Sequence, residues 1–194
     1  MLFLYKTTLR VNISTLQRKT NSMPWCNGET FSKDWAPTGY LTRKHQQPSE
    51  ISKALKGDAS INYLAIRFAD VLLWYAEALN ESGRTAEALV PLNRVRKRAR
   101  ESYLFDSSLP GFGNVPANFL SDVTFTNQVD VRRAIQHERR VELGFEFHRF
   151  FDLIRWGSAY ATQAMSDRPN FNYEINKYFP ISQSERDRNK ALLP

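Results

Sequence analysis

The chain has 194 residues, of which 42% are hydrophobic and 13% aromatic, enough to bury a core as one domain. Twenty-seven basic against twenty acidic residues give a formal charge of +7, which permits acidic partners without requiring them. A single cysteine, Cys26, excludes an internal disulfide framework and any cysteine-based metal cluster, and no apolar run approaches the ~20 residues of a membrane span.

Residues 1–16 begin apolar, but Lys6 and Arg10 interrupt the run too early for a signal peptide. Cys26 follows Ser22-Met23-Pro24-Trp25 and a polar segment, not the apolar run and small residues of a lipid-anchoring site, and reads as incidental. Asn, Ser, Pro and Gly punctuate residues 17–58, so residues 1–38 are expected to form a loop-rich N-terminal segment. Trp25, Phe31, Trp35 and Tyr40 alternate with polar residues there. A ring beside hydrogen-bonding groups suits a sugar, whose apolar face stacks on it, and makes Trp25, Trp35 and Tyr40 the candidate ligand contacts. The alternative is that these rings plug a loop-rich layer onto the helices.

A helical hairpin is predicted over 61–100. In its first helix Leu64, Phe68, Val71, Tyr75 and Ala78 form one apolar row, and Ala65, Ala69, Leu72, Ala76 and Leu79 a second, which implies burial against two partners. Gly83 supplies the stop, and Ala88, Leu92, Val95 and Ala99 form the inner row of the second helix. Pro91 removes one backbone donor and predicts a bend or a late start. The pair resembles one tetratricopeptide unit, and no second copy follows. Arg94, Arg96, Lys97, Arg98 and Arg100 raise the possibility of a nucleic-acid surface. Their angles spread around the helix and no binding motif accompanies them, so they read as a solvated face with no nucleic-acid partner.

Residues 102–129 form a long loop, either functional or a surface insertion. The stretch Val131–Gly157, VRRAIQHERRVELGFEFHRFFDLIRWG, then predicts one α-helix of roughly seven turns spanning 130–157. Within 131–156 six Arg face four acids, most of them three or four residues from a partner. Glu138, Arg139, Glu142, Glu146, Arg149, Asp152 and Arg155 are therefore read as a structural ion-pair lattice in preference to an acid/base or metal site. His137 and His148 lie at different angles, which removes the obvious metal pair. The closing segment 158–194 contains Tyr178-Phe179-Pro180-Ile181 and a capping box, Ser182 to Glu185.

Four strings in order resemble the SusD/RagB family: GYLTRK from Gly39, IRFADVLLWYAEALNESG with EALVPLNRVRKRAR, ERRVELGFEFHRFFDLIRWG, and KYFPISQSERDRN. The sequence departs from the family pattern at Pro91, at Gly144, where Ala is usual, and at Phe147, where the family has Gly and packs backbone closely. The resemblance implies a mainly α fold in which a tetratricopeptide-like hairpin packs with the long helix and extensive loops. It assigns 39–194 to a SusD/RagB-like C-terminal domain, part of a longer protein.

The resemblance also implies a non-catalytic role: binding an oligosaccharide or peptide at the outer cell surface and passing it to a SusC-like TonB-dependent outer-membrane transporter. No cofactor or metal is expected, and membrane association would come only through a lipid anchor not present in this chain. The competing expectation is a stand-alone tetratricopeptide-like module that binds a protein partner. A glycosidase is more distant, since Arg neighbours leave neither Glu138 nor Glu142 free to act as general acid.

Overall fold

The computed structural model describes residues 16–17, 41–42, 62–105, 111–189 and 191 of the chain. The architecture is mainly α. Two two-residue strands, β1 (Leu16–Gln17) and β2 (Leu41–Thr42), pair antiparallel with Leu16 opposite Thr42. The chain divides into two compact units, residues 1–147 and 148–194.

In the first unit α1 (Phe68–Glu81) and α2 (Thr85–Phe105) form the hairpin, and α3 (Gln128–Glu142) packs on both. Leu73, Ala76 and Leu79 of α1 meet Ala88, Leu92 and Val95 of α2 and Val131 and Ile135 of α3 in one buried core. Ala76 and Ala88 are fully buried, their short side chains leaving room for the larger core residues around them. Only one of the two predicted rows of α1 is covered. Phe68, Val71 and Tyr75 are exposed, and Trp74 beside them is exposed on the same helix.

The turn between α1 and α2 follows from Gly83, which adopts φ +83° after the C-cap Ser82. Gly83 N–H donates to the Asn80 carbonyl (3.1 Å) and Arg84 N–H to the Leu79 carbonyl (2.9 Å), a Schellman closure that only a left-handed residue permits. Pro91 does not delay the second helix, which begins at Thr85 and carries Pro91 buried within it. The helix also runs on to Phe105, five residues past the expected end.

The segment between α2 and α3 is held down by side chains that take the place of a backbone partner. Asn93 donates to the Val123 carbonyl (3.0 Å) and accepts from Val123 N–H (2.8 Å). Arg96 donates twice to the Ser121 carbonyl, at 3.1 and 2.6 Å. Asn127 then caps α3 by accepting from Asp130 N–H at 2.8 Å. The C-terminal end of α1 is tied to the start of α3 by Asn80, which donates to the Gln128 carbonyl (3.0 Å), and Gln128, which donates to the Asn80 carbonyl (2.7 Å).

The single helix expected over 130–157 is two helices. α3 ends at Glu142, and α4 (Arg149–Arg155) begins after an irregular turn. Gly144 follows directly after the C-cap Leu143, and Phe145 and Phe147 both take left-handed backbone, φ +66° and +63°. Each such residue costs about 1–2 kcal/mol when it carries a side chain, so the break requires compensation. Arg67 provides it: its Nη2 donates to the Glu142 carbonyl at the helix end, 2.7 Å away. Both phenylalanine rings are exposed.

The second unit holds α4, α5 (Ser158–Ala164), α6 (Tyr173–Asn176) and α7 (Gln183–Arg188). Gly157, at φ +89°, separates α4 from α5. Tyr173 Oη donates to the Ile154 carbonyl at 3.0 Å, and the Phe150 ring lies 5.1 Å from that of Phe179. Ser182 caps α7 by accepting from Glu185 N–H at 3.3 Å, as its capping box predicts.

Candidate functional site

The strongest concentration of charge lies inside the first unit. Among the described residues there, four carboxylates meet four guanidinium groups where α1, α2 and α3 converge. Successive residues of a helix point about 100° apart, so Glu138 and Arg139 of α3 serve different neighbours. Glu138 reaches Arg96 of α2 at 2.6 Å, and Arg139 reaches Asp70 of α1 at 2.7 Å. One turn on, Glu142 pairs with Arg67 at 2.7 Å and with Arg98. Beyond the helix end Glu146, only 3% exposed, pairs with Arg67 at 2.7 Å.

Arg67 sits at the N-cap of α1 and holds Glu142, the Glu142 carbonyl and Glu146 together. Burial works against its charge, yet bonding to Glu146 and the nearby charge of Glu142 outweigh that and hold its pKa above the ordinary arginine value. The Arg139 guanidinium also lies over the Trp74 ring, 5.7 Å from its centroid. Such an array clamps helices: a buried charge persists only with a partner and hydrogen bonds.

In the second unit Arg155 pairs with Asp152 at 2.9 Å and stacks on Trp156 at 4.8 Å. Arg149 departs from the expected lattice. Its guanidinium lies over the rings of Tyr160 (5.5 Å) and Trp156 (6.0 Å), with Tyr160 Oη at 3.4 Å, so rings take the place of a carboxylate.

The basic residues of α2 are not uniformly a solvated face. Arg96 is buried on Glu138, Arg98 reaches Glu142, Arg100 donates to the Leu120 carbonyl at 2.5 Å, and Arg94 stacks on Phe68 at 5.0 Å. Arg94, Lys97 and Arg98 are exposed, as a solvated face requires, with Lys97 at 3.7 Å from Glu101, whereas Arg96 is buried. Sequence reasoning missed Arg67, Asp70, Arg96 and Arg98 as partners because it paired charges at helical spacing, whereas the true pairs lie 42 to 79 residues apart. Asp70 was the available signal, since an acid inside the apolar run of α1 requires a cation from elsewhere.

The candidate ligand contacts Trp25, Trp35 and Tyr40 lie outside the described residues. Among the described residues no group of His, Cys, Asp or Glu is arranged to hold a metal ion, and no helix is long and apolar enough to cross a membrane.

Comparison with known proteins adds the family. The model described as SusD family matches residues 5–193. The chain is 29% identical over 194 residues to SusD-like protein P2 of Formosa agariphila, covering 98% of this chain and 36% of that protein. SusD-like protein P25 of the same organism is 34% identical over 151 residues, covering 74% and 25%. SusD-like protein P38 is 39% identical over 99 residues, covering 50% and 18%. The chain spans about a third of the length of P2 and less of the other two. With a family match across nearly its whole length and a mainly α fold around a tetratricopeptide-like hairpin, the chain belongs to the SusD family.

Proposed function

We propose that this chain forms part of a non-catalytic protein that binds an oligosaccharide, or another nutrient such as a peptide, at the outer surface of the cell. The protein delivers its ligand to a SusC-like TonB-dependent outer-membrane transporter and is held at the membrane by a lipid anchor. The family match over residues 5–193 carries this reading. The ion-pair array supports a structural role for α3 and the turn after it, since Glu138, Glu142 and Glu146 are engaged by guanidinium groups. Trp25, Trp35 and Tyr40 remain the proposed sugar contacts, and 39–194 the proposed domain.

An oligosaccharide microarray probed with the chain tests the binding. Specific glycan signal that falls in the Trp25→Ala and Trp35→Ala variants is expected, and signal unchanged by both removes those residues from the site. The mass and N-terminus of the native protein test the anchor. A product well above 22.5 kDa that begins at a lipidated cysteine is expected.

The exposed apolar face of α1 favours one second reading, a tetratricopeptide-like module that docks a protein partner. That reading requires a native product of 22.5 kDa that is monodisperse and has no glycan affinity.

A further inference from the structure

Phe68 and Tyr75 of α1 are seven residues apart, and so are Glu87 and Arg94 of α2, two helical turns in each case and about 10 Å along the axis. Each pair therefore lies on one side of its helix. An exposed valine stands midway between its members: Val71 on α1, and Val90, 72% exposed, on α2. Phe68 and Tyr75 are also exposed, so these rows lie on the side of the hairpin turned away from the buried core. Arg94 brings the two rows to a common level, its guanidinium 5.0 Å from the centre of the Phe68 ring. Because the two helices of the hairpin run antiparallel, Glu87 then lies near the level of Tyr75. Arg94 has no carboxylate within ion-pair reach among the described residues.

We propose that this face is an interface between two copies of the chain, related by a two-fold axis that passes beside Val71 and Val90. Turned about that axis, α1 packs antiparallel on the α1 helix of the second copy, and α2 on its α2. Phe68 then meets Tyr75 of the partner subunit, and Arg94 meets Glu87 of the partner subunit, each contact occurring twice as in any isologous interface. Self-complementarity is what favours a second copy over an unrelated protein. The apolar row is balanced about Val71, and the cation at one end of the α2 row is answered by the carboxylate at its other end. Glu87 accepts from Arg84 at 2.8 Å in an exposed pair, and its carboxylate keeps lone pairs for a second guanidinium. Rows that step by three and four residues are also the ridges against which another helix packs. The inference is independent of the glycan-binding reading.

The test is sedimentation velocity on the whole chain over a range of concentrations, with thermal unfolding of each variant alongside. A reversible monomer–dimer equilibrium is expected for the parent. Arg94→Glu and Glu87→Arg each turn attraction into repulsion at two symmetric places, and each is expected to weaken the dimer about tenfold. The double variant, with both charges reversed, pairs again and is expected to dimerise within about threefold of the parent. Val90→Lys sets two like charges against each other at the axis without touching an ion pair, and is expected to weaken the dimer as well. All three sites are exposed, so Tm should stay within about 2 °C of the parent throughout. A parent that remains monomeric at about 100 μM, or forms open-ended aggregates instead of dimers, overturns the proposal. A double variant as weak as either single one overturns it too, since apolar association without a fixed register shows no such rescue. A large fall in Tm for Val90→Lys would mean that the face is covered within the chain, which also overturns it.

Discussion

Arg139 shows what a buried pair requires. It and Asp70 are both almost fully withdrawn from solvent, joined at 2.7 Å across two helices. Removing one member leaves the other charge buried without its counter-ion, so Arg139→Ala is expected to lower stability by about 3–5 kcal/mol in urea unfolding. Arg132, whose contact with Glu81 is far more exposed, provides the contrast: Arg132→Ala is expected to cost less than about 1 kcal/mol. Equal losses in the two variants would contradict the buried-pair account. The exposed pair has its own signature. Hydrogen bonds from Arg132 hold the Glu81 carboxyl below the usual carboxylate range. A depressed folded pKa means the stabilisation is present above the unfolded value, about 4.3, and fades as pH falls through the folded one. Between pH 7 and pH 3 the parent should therefore lose slightly more Tm than Arg132→Ala, and an identical acid loss would exclude the linkage.

At the scale of the element, Gly83 isolates a backbone effect. A Cβ there meets nothing within 4 Å, so any loss in Gly83→Ala comes from φ +83° alone. About 1–2 kcal/mol is expected by thermal unfolding, and Gly83→Asn should lose less because Asn tolerates the left-handed region. No loss in Gly83→Ala would show that the turn can rearrange. This turn was legible in the sequence, as were the inner row of α2 and the Ser182 cap, because each is set by residues close in the chain; Leu73, buried in the core of α1, lay in neither row expected there. The break after Glu142 was also written there, in Gly144, but the charge pattern on both sides continues at helical spacing and hides it. What ends α3 is Arg67, 75 residues away. No local rule finds a cap supplied from that distance. The lattice was likewise legible as a set of charges and illegible as a set of pairs: Arg149, with an acid at helical spacing on either side, rests on aromatic rings instead.

At the scale of the whole molecule, the apolar face of α1 is the largest open account. Phe68, Val71, Trp74 and Tyr75 together form a surface of the kind that associates in water. Val71→Lys with Tyr75→Lys is expected to reduce self-association of the chain in sedimentation velocity while leaving stability within about 0.5 kcal/mol. Loss of folding in that variant would mean the face is covered within the chain itself. The ion pairs carry one more consequence, for the order of events. The α1–α2 hairpin joins near neighbours in sequence, whereas Asp70–Arg139 and Arg67–Glu146 join residues 69 and 79 apart. Closing such long loops consumes chain entropy before any contact offsets it. The hairpin is therefore expected to nucleate and α3 to dock after the rate-limiting barrier, so in stopped-flow measurements Arg139→Ala should leave refolding near the parental rate and speed unfolding by most of its equilibrium loss; slowed refolding would place α3 in the nucleus instead. On that order of events the clamp that looks like a foundation acts as a latch: it sets how long the molecule stays folded, and has little part in how quickly it folds.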